Sequence, residues 1–227
     1  MKRSEINALI MEAQNFIKGF HFALPPFADW TPAEWNEKGH AYDEIRDNGL
    51  GWDVTDYGFD KFDEIGLVLF TLRNGNFQSA NYIKPYAEKL LISRENQVCP
   101  MHFHYTKMED IINRGGGILM VELYCSTENG LLDKTAPVSL SINGEWRTVP
   151  PGTIIELSPG QSVSLTPAMY HAFWAKEGAG SVLIGEVSQV NDDHSDNRFF
   201  EPMHRFPAIE EDTLPYRLLC TEYPPAK

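Results

Sequence analysis

The stretch Cys99-Pro100-Met101-His102-Phe103-His104-Tyr105-Thr106-Lys107-Met108-Glu109-Asp110 decides how this chain folds. His102 and His104 stand two residues apart. Successive side chains of a strand alternate faces, so a strand aims both imidazoles to one side, whereas a helix sends them nearly opposite ways. Glu109 follows at an odd spacing. A straight strand would put it on the wrong face, so the chain must bulge or turn a corner between His104 and Glu109. Lys107 and Glu109 share parity and are expected to face one cavity. Arg114-Gly115-Gly116-Gly117 closes the segment as a turn. Two imidazoles and a carboxylate brought together suit a divalent metal, nitrogen for borderline ions and oxygen for harder ones.

The composition is compatible with a protein built around such a site. A chain of 227 residues can bury a full core, as one large β domain or one domain with extensions. Hydrophobic residues make up 42% and charged residues 22%, the ordinary balance of a globular protein. The formal net charge of -13 argues against nucleic acid or an anionic membrane as a partner, since both demand a basic face. Cys99, Cys125 and Cys220 are odd in number and irregular in spacing, with no Cys-x-x-Cys. They fit a reducing compartment and no disulfide framework. The N-terminus is amphipathic and has neither a signal peptide nor a membrane span, which places the protein in the cytoplasm.

Ile6, Leu9, Ile10, Ala13, Ile17 and Phe20 repeat at helical spacing, with Ser4 as N-cap and Gly19 near the end. This stripe reads as core. Thr31-Pro32-Ala33-Glu34 is a capping box for a short helix ended by Gly39. Residues 40–62 read as irregular but ordered, since their aromatic side chains give them something to bury. From Ile65 the texture is β. Ile65 to Leu72, the turn Asn74-Gly75, Phe77 to Ile83 and Glu88 to Ile92 read as strands about a hairpin. Asn143-Gly144 marks a second hairpin between residues 139–142 and 145–149. Further strands follow at 153–157, 161–166, 170–175 and 181–187, separated by Gly and Pro turns. Short strands at this spacing, with no long helix among them, indicate a sandwich or barrel. The division expected is residues 1–62 as an N-terminal helical and irregular extension, 63–190 as the barrel, and 191–227 as a C-terminal segment completing the site.

His171, in Pro167-Ala168-Met169-Tyr170-His171, lies where an antiparallel strand would bring it beside the first two histidines. Here the sequence resembles the cupins. The first cupin motif is matched by His102-Phe103-His104, Glu109 and Gly115, and the second by Gly160, Pro167 and His171. The match departs at Met169, where the motif has glycine, in a proline one residue nearer the histidine, and in the lack of a glycine before His102. The resemblance implies an all-β cupin jelly-roll barrel with His102, His104, Glu109 and His171 as metal ligands inside it. Fold alone does not give the chemistry. A narrower likeness is carried by Tyr86-Ala87-Glu88-Lys89, by residues 102–117 and by residues 191–202. They are similar to the cupin-type D-lyxose isomerases, and the likeness covers nearly the whole chain. It implies a manganese-dependent aldose–ketose isomerase for D-lyxose and D-xylulose, acting also on D-mannose and D-fructose, and a homodimer. Fe2+, Co2+ or Zn2+ would suit the same ligands.

Such an isomerisation moves a proton between C2 and C1, so it needs a base and a group that stabilises negative charge. Lys107 is the candidate for the second task. Glu201, between Phe200 and Pro202, is the preferred base, because an apolar setting raises a carboxyl group's pKa. Asp193, Lys89 and Glu186 are further candidates, and Arg205 could bind a sugar hydroxyl. His21, His40, His194 and His204 read as structural. Phe103, Phe173 and Trp174 read as barrel core. The alternatives are another metal-dependent cupin enzyme, an iron dioxygenase or a sugar-phosphate isomerase, or a non-enzymatic sugar-binding or regulatory cupin. A phosphate substrate would call for more Arg and Lys near the ligands than Lys89, Lys107, Arg198 and Arg205 provide.

Overall fold

Period-two alternation sorts the strand residues into an interior set and an outer set. In a computed structural model, which describes residues 1–193 and 195–227, the strands are β1 (Gly51–Thr55), β2 (Leu67–Arg73), β3 (Tyr86–Ser93), β4 (Cys99–His104), β5 (Glu109–Gly116), β6 (Leu119–Ser126) and β7 (Leu132–Asp133), then β8 (Val138–Ile142), β9 (Glu145–Val149), β10 (Thr153–Leu157), β11 (Ser162–Leu165), β12 (Met169–Ala175), β13 (Val182–Gln189) and β14 (Asn197–Phe199). All the strand pairs within the two sheets are antiparallel. One sheet runs β1-β2-β3-β13-β5-β11-β8-β9 and the other β10-β6-β12-β4-β14, with β7 as a sixth strand beside β6. The inner residues of both sheets, among them Leu69, Leu91, Ile111, Leu123, Val163, Phe173 and Ile184, pack into one core. This is the all-β barrel expected.

The helical stripe forms α1 (Arg3–Gly19), and its buried residues Ile6, Leu9, Ile10, Ala13 and Ile17 pack with Trp52, Val54, Val68, Phe70 and Leu183. That cover explains why β2 is apolar on both faces. Leu67 and Leu69 look into the barrel, whereas Val68 and Phe70 look out at α1. Two short helices follow, α2 (Pro32–Trp35) and α3 (Asp43–Asp47). Thr31 and Glu34 form the capping box. Ser4 is not the N-cap. The helix begins before it, and the Ser4 amide and hydroxyl donate to Asp212 at 2.9 and 2.6 Å, so a distant carboxylate serves the helix start. Arg3, buried, donates to Glu211 at 2.9 and 2.6 Å and also bonds Glu222, fastening the C-terminal residues to α1.

Three local expectations change. Residues 51–55 are strand β1, paired with β2. Asn74-Gly75 makes no hairpin. The Asn74 amide donates to the carbonyls of Asn48 and Asn191, and residues 77–83 are not a strand. Phe77 and Ile83 are 74% and 91% exposed, so that segment has no face to bury. The Arg114-Gly117 turn is mostly strand, with a bulge against β13 at Arg114, between Asn113 and Gly115. The Asn143-Gly144 hairpin forms as read, with both residues at positive φ, 53° and 84°. Cys99, Cys125 and Cys220 are free. Among the described residues no helix is long and apolar enough to cross a membrane.

Candidate active site

Register brings the histidines together. β12 runs antiparallel to β4 with His171 opposite His102, and His104 lies two residues on, on the same face. The ring centroids of His102 and His171 are 4.2 Å apart, and the ligand nitrogens of all three imidazoles lie within 4.8 Å of one another. Glu109 arrives by changing sheets. β4 belongs to the six-stranded sheet and β5 to the eight-stranded one. The residues between them turn the corner that the odd spacing demands. Because the sheets face each other, the first residue of β5 points back at the histidines. Glu109 Oε1 lies 3.1 Å from His171 Nε2 and 3.4 Å from His104 Nε2.

The donor set fits a divalent metal. His102 Nδ1 lies 2.7 Å from the Pro100 carbonyl and His171 Nδ1 lies 3.1 Å from the Met169 carbonyl. A nitrogen facing a carbonyl must carry the proton, so each Nε2 keeps a lone pair toward the interior. This is how metal-binding histidines are oriented by their outer partners. His171 Nε2 is buried without a hydrogen-bond partner. A lone pair held against a carboxylate oxygen is repulsive until a cation stands among them. Burial, with the neighbouring imidazoles second, holds His102 well below the ordinary imidazole range. Burial and then Lys107 lower His104. Burial pushes the Glu109 carboxyl up, but Lys107 and His104 outweigh it and hold the group well below the usual carboxylate range. Neutral imidazoles and an ionised carboxylate are the forms a metal binds.

These shifts give a pH dependence for the metal-stripped protein. Below about pH 6.5 unfolded imidazoles take up protons, while buried His102 and His104 stay neutral, so the unfolded state is favoured as pH falls. Glu109 adds the same sign lower down, its contribution being lost as pH falls through its depressed folded value. The melting temperature of stripped protein is expected to drop between about pH 8 and about pH 5. A flat profile would contradict buried, neutral histidines.

A polar network continues the site. Lys107 Nζ lies 2.7 Å from Glu109 Oε2 and donates to Glu186 Oε1 at 2.8 Å and Asn191 Oδ1 at 3.1 Å. Lys89 Nζ lies 3.4 Å from the same Glu186 oxygen. Glu186 shares parity with Val182 and Ile184 on β13, and Lys89 with Leu91 on β3, which is why both reach the interior. Burial lowers Lys107, but Glu109 and Glu186 prevail and raise it above its ordinary value, so it is an ammonium. Burial raises Glu186, but Lys107 and Lys89 prevail and hold it ionised. Arg205 donates to Asp53 at 2.6 Å and Asp193 at 3.3 Å.

All these groups except Asp53 line one cavity, together with His102, His104, His171, Asn197, Phe199 and Tyr57. Glu201 does not line it. β14 ends at Phe199, and Glu201 is exposed beyond it. Had the strand continued, parity would have turned Glu201 inward with Asn197 and Phe199. Phe173 lines the cavity; Phe103 is buried against Tyr105 and Tyr170 outside it. His21, His40 and His204 do not line it, and His194 lies outside the described residues. Tyr57, Asn191, Asn197 and Phe199 were not singled out in the sequence. The inward alternation of Asn197 and Phe199 was the available signal, hidden by a run that reads as a turn.

Comparison with known proteins gives the family. A sequence profile of the D-lyxose isomerase family matches residues 1–223. The chain is 50% identical over 224 residues to a D-lyxose/D-mannose isomerase of Serratia proteamaculans, covering 98% of each protein. It is 46% identical over 226 residues to one of Escherichia coli O157:H7, again covering 98% of each. Among solved structures, the L-ribose isomerase of Cellulomonas parahominis with L-ribose shares the fold at a TM-score of 0.60 and 14% identity, over 92% of this chain and 98% of that one. The chain belongs to the D-lyxose isomerase family.

Proposed function

We propose that this member of the D-lyxose isomerase family interconverts D-lyxose with D-xylulose, and D-mannose with D-fructose. The observation that carries the reading is one cavity holding three converging imidazoles, an ionised carboxylate, and a second buried carboxylate bridged to the first by a lysine. His102, His104, Glu109 and His171 would hold a divalent ion, manganese in this reading. When bound, that ion supplies Lewis-acid polarisation of the sugar carbonyl. Glu186 takes the proton from C2 of the open-chain sugar and returns it to C1, while the O2 hydroxyl proton passes to O1, so the exchange is proton-neutral. Lys107 and Lys89 keep Glu186 ionised, the form that can take up a proton. Lys107, held as an ammonium, faces the negative charge that develops on the sugar oxygens. Asn191, Asn197, Asp193, Lys89 and Arg205 offer donors and acceptors to the remaining hydroxyls. Homodimeric assembly and a cytoplasmic setting belong to the same reading, carried by the resemblance and by the cysteine content.

A phosphorylated sugar fits less well. The cavity-lining cations are Lys89, Lys107 and Arg205, and each already faces a carboxylate. A phosphate would have to break one of these pairs. The test uses protein stripped of metal and restored with Mn2+, incubated with D-xylulose and with D-fructose. D-lyxose and D-mannose are expected from the restored protein only. No aldose after restoration would overturn the proposal.

A further inference from the structure

We infer that Asp196 is a positioning residue, fastening the C-terminal segment onto the corner that carries Lys107 and Glu109. Asp196 is a buried carboxylate that no step above uses. Its Oδ1 accepts from the Thr106 amide and the Thr106 hydroxyl, both at 2.8 Å. Its Oδ2 accepts from the Lys107 amide at 3.0 Å, and the Asp196 carbonyl accepts from the Tyr105 amide at 3.1 Å. The corner between β4 and β5 is neither strand nor helix, so its inward amides have no ladder to join. One carboxylate side chain from far along the chain satisfies two of them and a hydroxyl. Bonds to a charged acceptor are about twice as strong as neutral ones.

The place of this contact gives it its effect. Lys107 is the residue whose amide Asp196 holds and whose amine meets both Glu109 and Glu186. Next along the chain, Asn197 pairs with His104 and Phe199 with His102 in the β14–β4 ladder. The Phe199 ring lies 5.5 Å from the His102 ring. Asp196 is therefore the point where the cavity wall contributed by residues 191–199 is tied to the corner between two metal-site residues. Losing it frees the corner and lets the Lys107 amine and the Glu109 carboxylate drift.

The kinetic arm of the test rests on the isomerase reading, but the metal arm does not. In Asp196→Asn an amide N–H faces either the Lys107 N–H or the Thr106 donors, and at least one bond is lost at unchanged size. Mn2+ affinity, measured by chelator competition, is expected to weaken up to about 10-fold, no more than the loss of a residue that itself bonds a ligand, because Asp196 acts on Glu109 through Lys107. With D-fructose, kcat is expected to fall about 10-fold with KM little changed. Combined with Lys107→Met, the kcat losses should be less than additive, because both act through one amine. Thr106→Val removes the hydroxyl bond alone and should move Mn2+ affinity the same way by about 3-fold, which keeps the inference testable if Asp196→Asn does not fold. A lower melting temperature with Mn2+ affinity unchanged would make Asp196 a stabilising contact only and overturn the inference. If wild-type protein binds Mn2+ but isomerises neither ketose, the isomerase reading fails, and the affinity measurement still decides the role of Asp196.

Discussion

Protein carrying His171→Ala is expected to come out of purification folded and without bound metal. β12 keeps its place because its ladders to β4 and β6 are backbone bonds that the substitution leaves alone. What goes is the imidazole opposite His102, with its proton fixed on the Met169 side and its lone pair turned inward. Losing an outer partner of a metal site costs 10- to 100-fold in affinity, so losing a ligand should cost more than about 100-fold. Metal analysis of wild type and variant purified side by side reads this directly. Isomerase activity should vanish with the metal and not return on adding Mn2+. Equal metal content would remove His171 from the ligand set.

Glu186→Gln should show the opposite split, keeping the metal and losing the reaction. Glu186 pairs with Lys107 and is not one of the converging donors, so the donor set stays intact. General acid–base catalysis contributes typically 10²- to 10⁴-fold, and turnover of D-fructose is expected to fall by about that factor. Stability should suffer as well. Lys107 keeps Glu109 at 2.7 Å, but Lys89 loses its nearest carboxylate, at 3.4 Å, and both amines are buried. The glutamine oxygen still accepts a hydrogen bond, so the cost should be about 1–3 kcal/mol, less than that of an unpaired buried charge. Thermal melts at fixed Mn2+ check it. Full turnover in this variant would move the base to Asp193 or Glu109.

The sequence was most legible where chemistry follows local spacing. The two-position step from His102 to His104, with Phe103 alone between them, states that they share a face. The odd step to Glu109 requires a corner, and the structure supplies one by passing from one sheet to the other. Lys107 and Glu109 share parity and line the same cavity. What could not be read were the meetings of distant segments. Asp53 on β1 touches Arg205 near the other end of the chain, and no periodicity relates the two. Asn74 looked like half of a tight turn but spends its amide on Asn48 and Asn191. Glu201 was preferred for its apolar neighbours, a local property, yet where β14 stops decides its exposure. Ser4 looked like a cap until Asp212 came in from the tail.

The order of the segments also sets an order in time. His102, His104, Glu109 and His171 have all been translated before residues 191–205 leave the ribosome. A nascent barrel would therefore assemble the proposed ligands before its cavity wall is complete. Until β14 arrives, β4 is an outer strand with a bare row of amides and carbonyls, the kind of margin on which chains stick to one another. Chains truncated before Asn197 would keep every candidate ligand histidine and still be prone to aggregate, so the short strand Asn197–Phe199 both completes the cavity wall and covers the edge of the sheet.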